Sequence, residues 1–139
     1  MGDFKKLKVW QKSHGLVLAV YRSTARFPDQ ERFGLTGQLR RAAASIPANI
    51  AEGCGRGTDN ELGRYIRISL GSATELEYHL LLARDLGRLP PPVYESLNAA
   101  TVEVQSMLAA LSRRVKRVHT PRATSPQLSQ TPQLIAHSS

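Results

Sequence analysis

Ser45-Ile46-Pro47-Ala48-Asn49-Ile50-Ala51-Glu52-Gly53 sets a proline and three polar residues inside a segment that is otherwise apolar at helical spacing. A proline inside a helix removes one backbone hydrogen bond and crowds the preceding turn, at roughly 3 kcal/mol. The apolar row Leu35, Leu39, Ala42, Ala43, Ile46, Ile50 and Gly53 nevertheless runs on both sides of Pro47. The proline is therefore predicted to bend one long helix rather than end it. That helix is expected over residues 31–54, closed by Gly53-Cys54-Gly55-Arg56-Gly57, because glycine suits a left-handed cap. A nucleotide-binding loop is rejected: no strand precedes these glycines, and their spacing matches no phosphate-cradling pattern.

Working outward, residues 7–26 read as a first helix, with Val9, Ser13, Leu16 and Val20 along one row and Trp10, His14, Val17 and Tyr21 along the next. Phe27-Pro28-Asp29 stops it, since a residue before proline is pushed out of helical geometry. Thr58 or Asp59 can cap a third helix that carries Leu62, Ile66, Ser69, Ala73, Leu76, Leu80 and Ala83 and ends at Gly87. Pro90-Pro91-Pro92 is a stiff entry to a fourth, whose seam Leu97, Thr101, Val104, Leu108, Leu111, Val115 and Val118 alternates steps of four and three. Four amphipathic helices with short connectors predict an all-α, antiparallel up-down-up-down four-helix bundle over residues 1–118. Residues 119–139, rich in Ser, Thr, Pro and Gln, are read as a disordered tail.

Helices two and three, turning near residues 56–59, should bring together residues whose numbers add to about 115. This sets Ala42-Ala43-Ala44 against Gly71-Ser72-Ala73, Ser45 and Asn49 near Ser69, and Arg40 and Arg41 level with Glu75, and leaves Glu52 within reach of Arg56. An inward Glu75 would need Arg41 as a bidentate partner. Arg40, Arg41, Ser45, Asn49, Glu52, Ser69 and Glu75 are accordingly predicted to form a structural polar network that fixes register. Catalysis and metal binding are not expected. A di-metal bundle needs a carboxylate followed three residues later by histidine on two helices, whereas Glu75 precedes His79 by four. Cys54 has no base in its sequence context, and no cofactor motif is present.

The formal charge is +8, from 19 Lys and Arg against 11 Asp and Glu. In an up-down-up-down bundle the start of helix one, the turn between helices two and three, and the end of helix four share one end. That end gathers Lys5, Lys6, Lys8, Lys12, Arg56, Arg64, Arg113, Arg114, Lys116 and Arg117 against Asp3, Asp59 and Glu61, while the rest of the bundle is balanced. Cations concentrated in this way are the footprint of a phosphate-backbone binder, so these ten residues are the candidate nucleic-acid contacts. An acidic protein surface is the alternative partner. A single cysteine, no cleavable leader and no apolar run long enough for a bilayer suggest a cytoplasmic protein without membrane association.

Leu7-Lys8-Val9-Trp10, Phe27-Pro28, Leu35-Thr36-Gly37-Gln38-Leu39-Arg40-Arg41-Ala42-Ala43, the Ser45 stretch quoted above and Gly71-Ser72-Ala73-Thr74-Glu75-Leu76-Glu77 together resemble a bacterial four-helix-bundle family. It includes the 23S rRNA-intervening sequence proteins and, more distantly, the accessory variability determinants of diversity-generating retroelements. The resemblance covers residues 4–116. It implies a homopentameric barrel without known enzymatic activity and, in the retroelement branch, a basic surface that binds RNA and a reverse transcriptase.

Overall fold

The computed structural model describes residues 2–119, with side chains described through Lys116. The expected tail at 119–139 thus falls, from residue 120 on, outside the described residues. Four helices make up the fold: α1 (Lys8–Thr24), α2 (Leu35–Gly55), α3 (Asp59–Asp85) and α4 (Pro91–His119), with short 3-10 turns at Phe4–Lys6 and Asp29–Glu31. Each helix packs against its neighbours in sequence, and α1 also packs against α4; α1 and α3 face each other diagonally without close contact, as do α2 and α4. This is the up-down bundle, and its tightest layers are α2 on α3 and α3 on α4.

The rows read from the sequence are the buried ones. Val9, Ser13, Leu16, Val20 and Thr24 face inward from α1, and Leu97, Thr101, Val104 and Leu108 from α4. Small hydroxyl residues enter this core because each satisfies itself on its own helix: Thr24 Oγ1 donates to Val20 O and Thr101 Oγ1 to Leu97 O, both at 2.8 Å, and Ser13 Oγ to Trp10 O at 3.0 Å. Pro47 sits buried inside α2, which continues past it as the two-sided apolar row requires.

The helix ends follow local chemistry. Thr58 Oγ1 accepts the Glu61 N–H at 3.2 Å and caps α3, as expected. At the other end Gly87 takes φ +75, with Gly87 N–H on Arg84 O and Arg88 N–H on Ala83 O, a Schellman closure. The α2–α3 turn uses Gly57 at φ +91. One boundary differs: α2 begins at Leu35, not near Glu31. Glu31 is instead held in the Asp29–Glu31 turn, its N–H on Pro28 O and its carboxylate on Arg88 Nε at 2.8 Å, which strap the first connector to the α3–α4 connector.

Candidate nucleic-acid interface

The α2–α3 hairpin has the predicted register but different polar partners. Ser69, fully buried, donates to Ile46 O at 3.0 Å rather than meeting Ser45 or Asn49. Ser45 pairs with Ser72 (2.8 Å), and Asn49 Nδ2 folds back onto Ser45 O and Oγ at 2.8 and 2.9 Å. The Arg41–Glu75 pair is not formed: both side chains are exposed, and neither makes an ion pair among the described residues. Arg40 turns to α1, donating from Nε to Thr24 Oγ1 at 2.8 Å and from Nη2 to Tyr21 O at 3.3 Å, with its guanidinium over the Tyr21 ring. Glu52 does reach Arg56, at 3.0 Å. His79 keeps Nδ1 buried without a hydrogen-bond partner among the described residues and tilts against Tyr78.

Toward the turn, a Cβ on Gly53 would lie 2.8 Å from Tyr65 Cβ, so the two helices touch nearly backbone to backbone there. That approach positions Tyr65 between two arginines. Its hydroxyl accepts from Arg56 Nη2 at 2.8 Å, and the Arg56 and Arg64 guanidinia lie 5.2 and 5.0 Å from its ring centre. Tyr65 and then Glu52 hold the Arg56 guanidinium above its ordinary range, so it remains charged. Tyr65 is thus a half-buried clamp for two cations.

The start of α1 meets the end of α4 at the same end of the bundle. Leu7, Lys8 and Val9 line a cleft of about 300 Å³ together with Met107, Leu111 and Arg114. A Cβ on Gly63 would lie 3.5 Å from Val115, which brings the start of α3 beside them. The helix order and these approaches set Lys5, Lys6, Lys8, Arg56, Arg64, Arg113 and Arg114 at one end. Lys12 sits a turn further in and bridges to Glu103 at 3.3 Å. Arg56 and Arg64 are also paired, with Glu52 and Glu61. Lys5, Lys6, Lys8, Arg113 and Arg114 are exposed and form no ion pair with any described residue. The Lys116 side chain is exposed, and that of Arg117 lies outside the described side chains.

Charge counting by sequence missed a second cationic group. Arg22, Arg26 and Arg88 line a cleft at the opposite end, and Arg22 and Arg26 have no carboxylate partner among the described residues. Among those residues no group of three or more His, Cys, Asp or Glu is placed to hold a metal ion, and no helix is long and apolar enough to cross a membrane.

A small all-α four-helix bundle is the class that the fold defines. The chain matches the family described as 23S rRNA-intervening sequence protein over residues 5–110, and it belongs to that family. It is also similar to a crystal structure of a protein of unknown function from the S23 ribosomal protein family of Bacteroides thetaiotaomicron VPI-5482. The identity is 26%, covering 75% of this chain and 97% of that one, with a TM-score of 0.68. A search of curated proteins returns no match.

Proposed function

We propose that this protein is a non-enzymatic RNA-binding accessory protein that engages the phosphate backbone with the basic end of its bundle. The observation that carries the reading is the set of exposed cations without carboxylate partners, Lys5, Lys6, Lys8, Arg113 and Arg114, at the end where α1 begins and α4 finishes. Phosphate contacts release condensed counterions, and cations not already neutralised from within are the ones free to make them. The family description, which names an intervening sequence of 23S rRNA, supports RNA as the polyanion. Lys12, Arg56, Arg64, Lys116 and Arg117 complete the proposed surface.

The reading includes assembly into a homo-oligomer, a pentamer by the resemblance stated above. Ile68 and Tyr78, exposed on one face of α3, and Leu86 at its C-cap support self-association because apolar side chains this large favour burial against a partner. It also includes a cytoplasmic location and, through the retroelement resemblance, a reverse transcriptase as protein partner.

Titrating a labelled single-stranded RNA at increasing salt tests the central claim. Affinity is expected to fall steeply with salt, and to fall further for a variant with Lys8, Arg113 and Arg114 changed to Ala. Absent or salt-independent binding would overturn it. Recovery of a protein partner that survives nuclease treatment, without RNA binding, would replace RNA with an acidic protein surface. Light scattering tests the assembly: a monomer at micromolar concentration removes the pentamer.

A further inference from the structure

Two clefts of about 400 and about 320 Å³ lie between the end of α1 and the start of α4, sharing Arg22, Ser23 and Val93, and form one groove. Its floor is aliphatic: Leu89 and Leu97 are buried beneath it, and Val93 is half-buried. Its rim is cationic. Arg88 is engaged by Glu31 at 2.8 Å, but the exposed Arg22 and Arg26 side chains form no hydrogen bond or ion pair with any described residue. The first turn of α4 carries no acidic residue, so the positive end of that helix dipole adds to the same field. The groove lies at the opposite end of the bundle from the proposed RNA surface and rests on none of its residues.

We infer that this groove docks an acidic amphipathic peptide segment of a protein partner, with aliphatic side chains on the Leu89–Val93–Leu97 floor and carboxylates on Arg22 and Arg26. The charge chooses the sign of the occupant. Guanidinium forks match carboxylates bidentately, and an aliphatic slot selects Leu-like or Ile-like side chains spaced along one face. Nucleic acid fits less well, because phosphates on the arginines would leave the aliphatic Leu89–Val93–Leu97 floor unused and no lining residue is aromatic to stack a base on it.

The test uses the full chain and a fluorescein-labelled synthetic peptide that intersperses Leu with Asp and Glu, read by fluorescence anisotropy. Wild type is expected to bind it. Arg22→Glu with Arg26→Glu should weaken binding by about tenfold or more, because charge complementarity becomes repulsion. The pair Arg113→Glu and Arg114→Glu should leave peptide binding unchanged. A peptide with every Leu replaced by Ser should bind more weakly by a similar factor. Arg22→Gln with Arg26→Gln gives an intermediate loss and guards against a folding defect, which circular dichroism checks directly. The inference is overturned by no peptide binding to wild type, by equal binding to the Arg22→Glu and Arg26→Glu variant, or by equal binding of the Ser peptide. It is also overturned if a single-stranded RNA, and not the peptide, loses affinity in that variant.

Discussion

Ser69 Oγ donates to the Ile46 carbonyl at 3.0 Å, one residue before the proline that interrupts α2. Pro47 has no N–H to give to the Ala43 carbonyl, so α2 is one hydrogen bond short in the turn that faces α3. A serine from the partner helix ties the backbone beside that gap and leaves no buried hydroxyl unpaired. Ser69→Ala is expected to cost about 1 kcal/mol in denaturant unfolding, because it removes one net hydrogen bond at nearly constant volume. Ser69→Val should cost more, since this position is fully buried against α2 and tolerates no added methyl.

Glu75→Ala is expected to change stability by less than about 0.5 kcal/mol, as for other exposed side chains without a partner. A buried Arg41–Glu75 pair would instead lose about 3–5 kcal/mol on the same change. Thermal or urea unfolding of the single variant separates the two outcomes.

Glu75 also marks what the sequence could reveal. Helical period, the proline inside an unbroken helix, the Thr58 cap and the hairpin register were all legible, because each follows from spacing or local chemistry. Pairing residues by level along a hairpin, however, fixes height and not azimuth. Glu75 lies at the right height for Arg41 but shares the outer row with Ile68, Gly71 and Tyr78, while Leu76 beside it takes the core. Charge counting gives a net balance and not the pairing, for a related reason. Two of the acids that balance the far end on paper, Glu31 and Asp85, are held by Arg88 and Arg84, and the other two there, Asp29 and Glu95, form no ion pair with Arg22 or Arg26. The start of α2 was missed because a contact between distant connectors, Glu31 with Arg88, holds the preceding turn.

Two glycines in helices should respond oppositely to alanine. At Gly53 a Cβ would sit 2.8 Å from Tyr65 Cβ and 3.4 Å from Leu62 Cα, so Gly53→Ala must spread the hairpin. A net loss of about 1–2 kcal/mol is expected after the gain in helix propensity. Gly15 meets nothing within 4 Å on the exposed side of α1, and Gly15→Ala should stabilise by about 0.5–1 kcal/mol. Urea midpoints of the two variants, moving in opposite directions, are the check.

Burial pushes the Cys54 thiol above its ordinary value of 9.0. The native state therefore holds this proton where the unfolded chain releases it. The contribution is fully present below the unfolded thiol's pKa and is lost as pH rises through the folded one. Stability should decline as pH rises above the ordinary thiol value of 9.0, less so in Cys54→Ala after allowance for its lower baseline. At neutral pH a thiol reagent should label native Cys54 slowly and the urea-unfolded chain at once.

The proposed RNA surface makes a sharper demand than a count of its cations. Lys12, Arg56 and Arg64 already hold Glu103, Glu52 and Glu61, so each must exchange a carboxylate for a phosphate, whereas Lys8, Arg113 and Arg114 exchange only water and ions. Neutralising an unpaired cation removes a full phosphate contact, lowering the log–log salt slope by about 0.7 on single-stranded RNA. Neutralising a paired one also frees its carboxylate, which then repels the RNA. The Lys8→Ala, Arg113→Ala and Arg114→Ala variants should therefore flatten the slope step by step. Lys12→Ala is expected to weaken binding with a smaller change in slope, and Lys12→Ala with Glu103→Gln to restore most of the loss. Equal slopes for the paired and unpaired sets would mean that the ion pairs open freely in solution, and then all the described cations of that end would count alike.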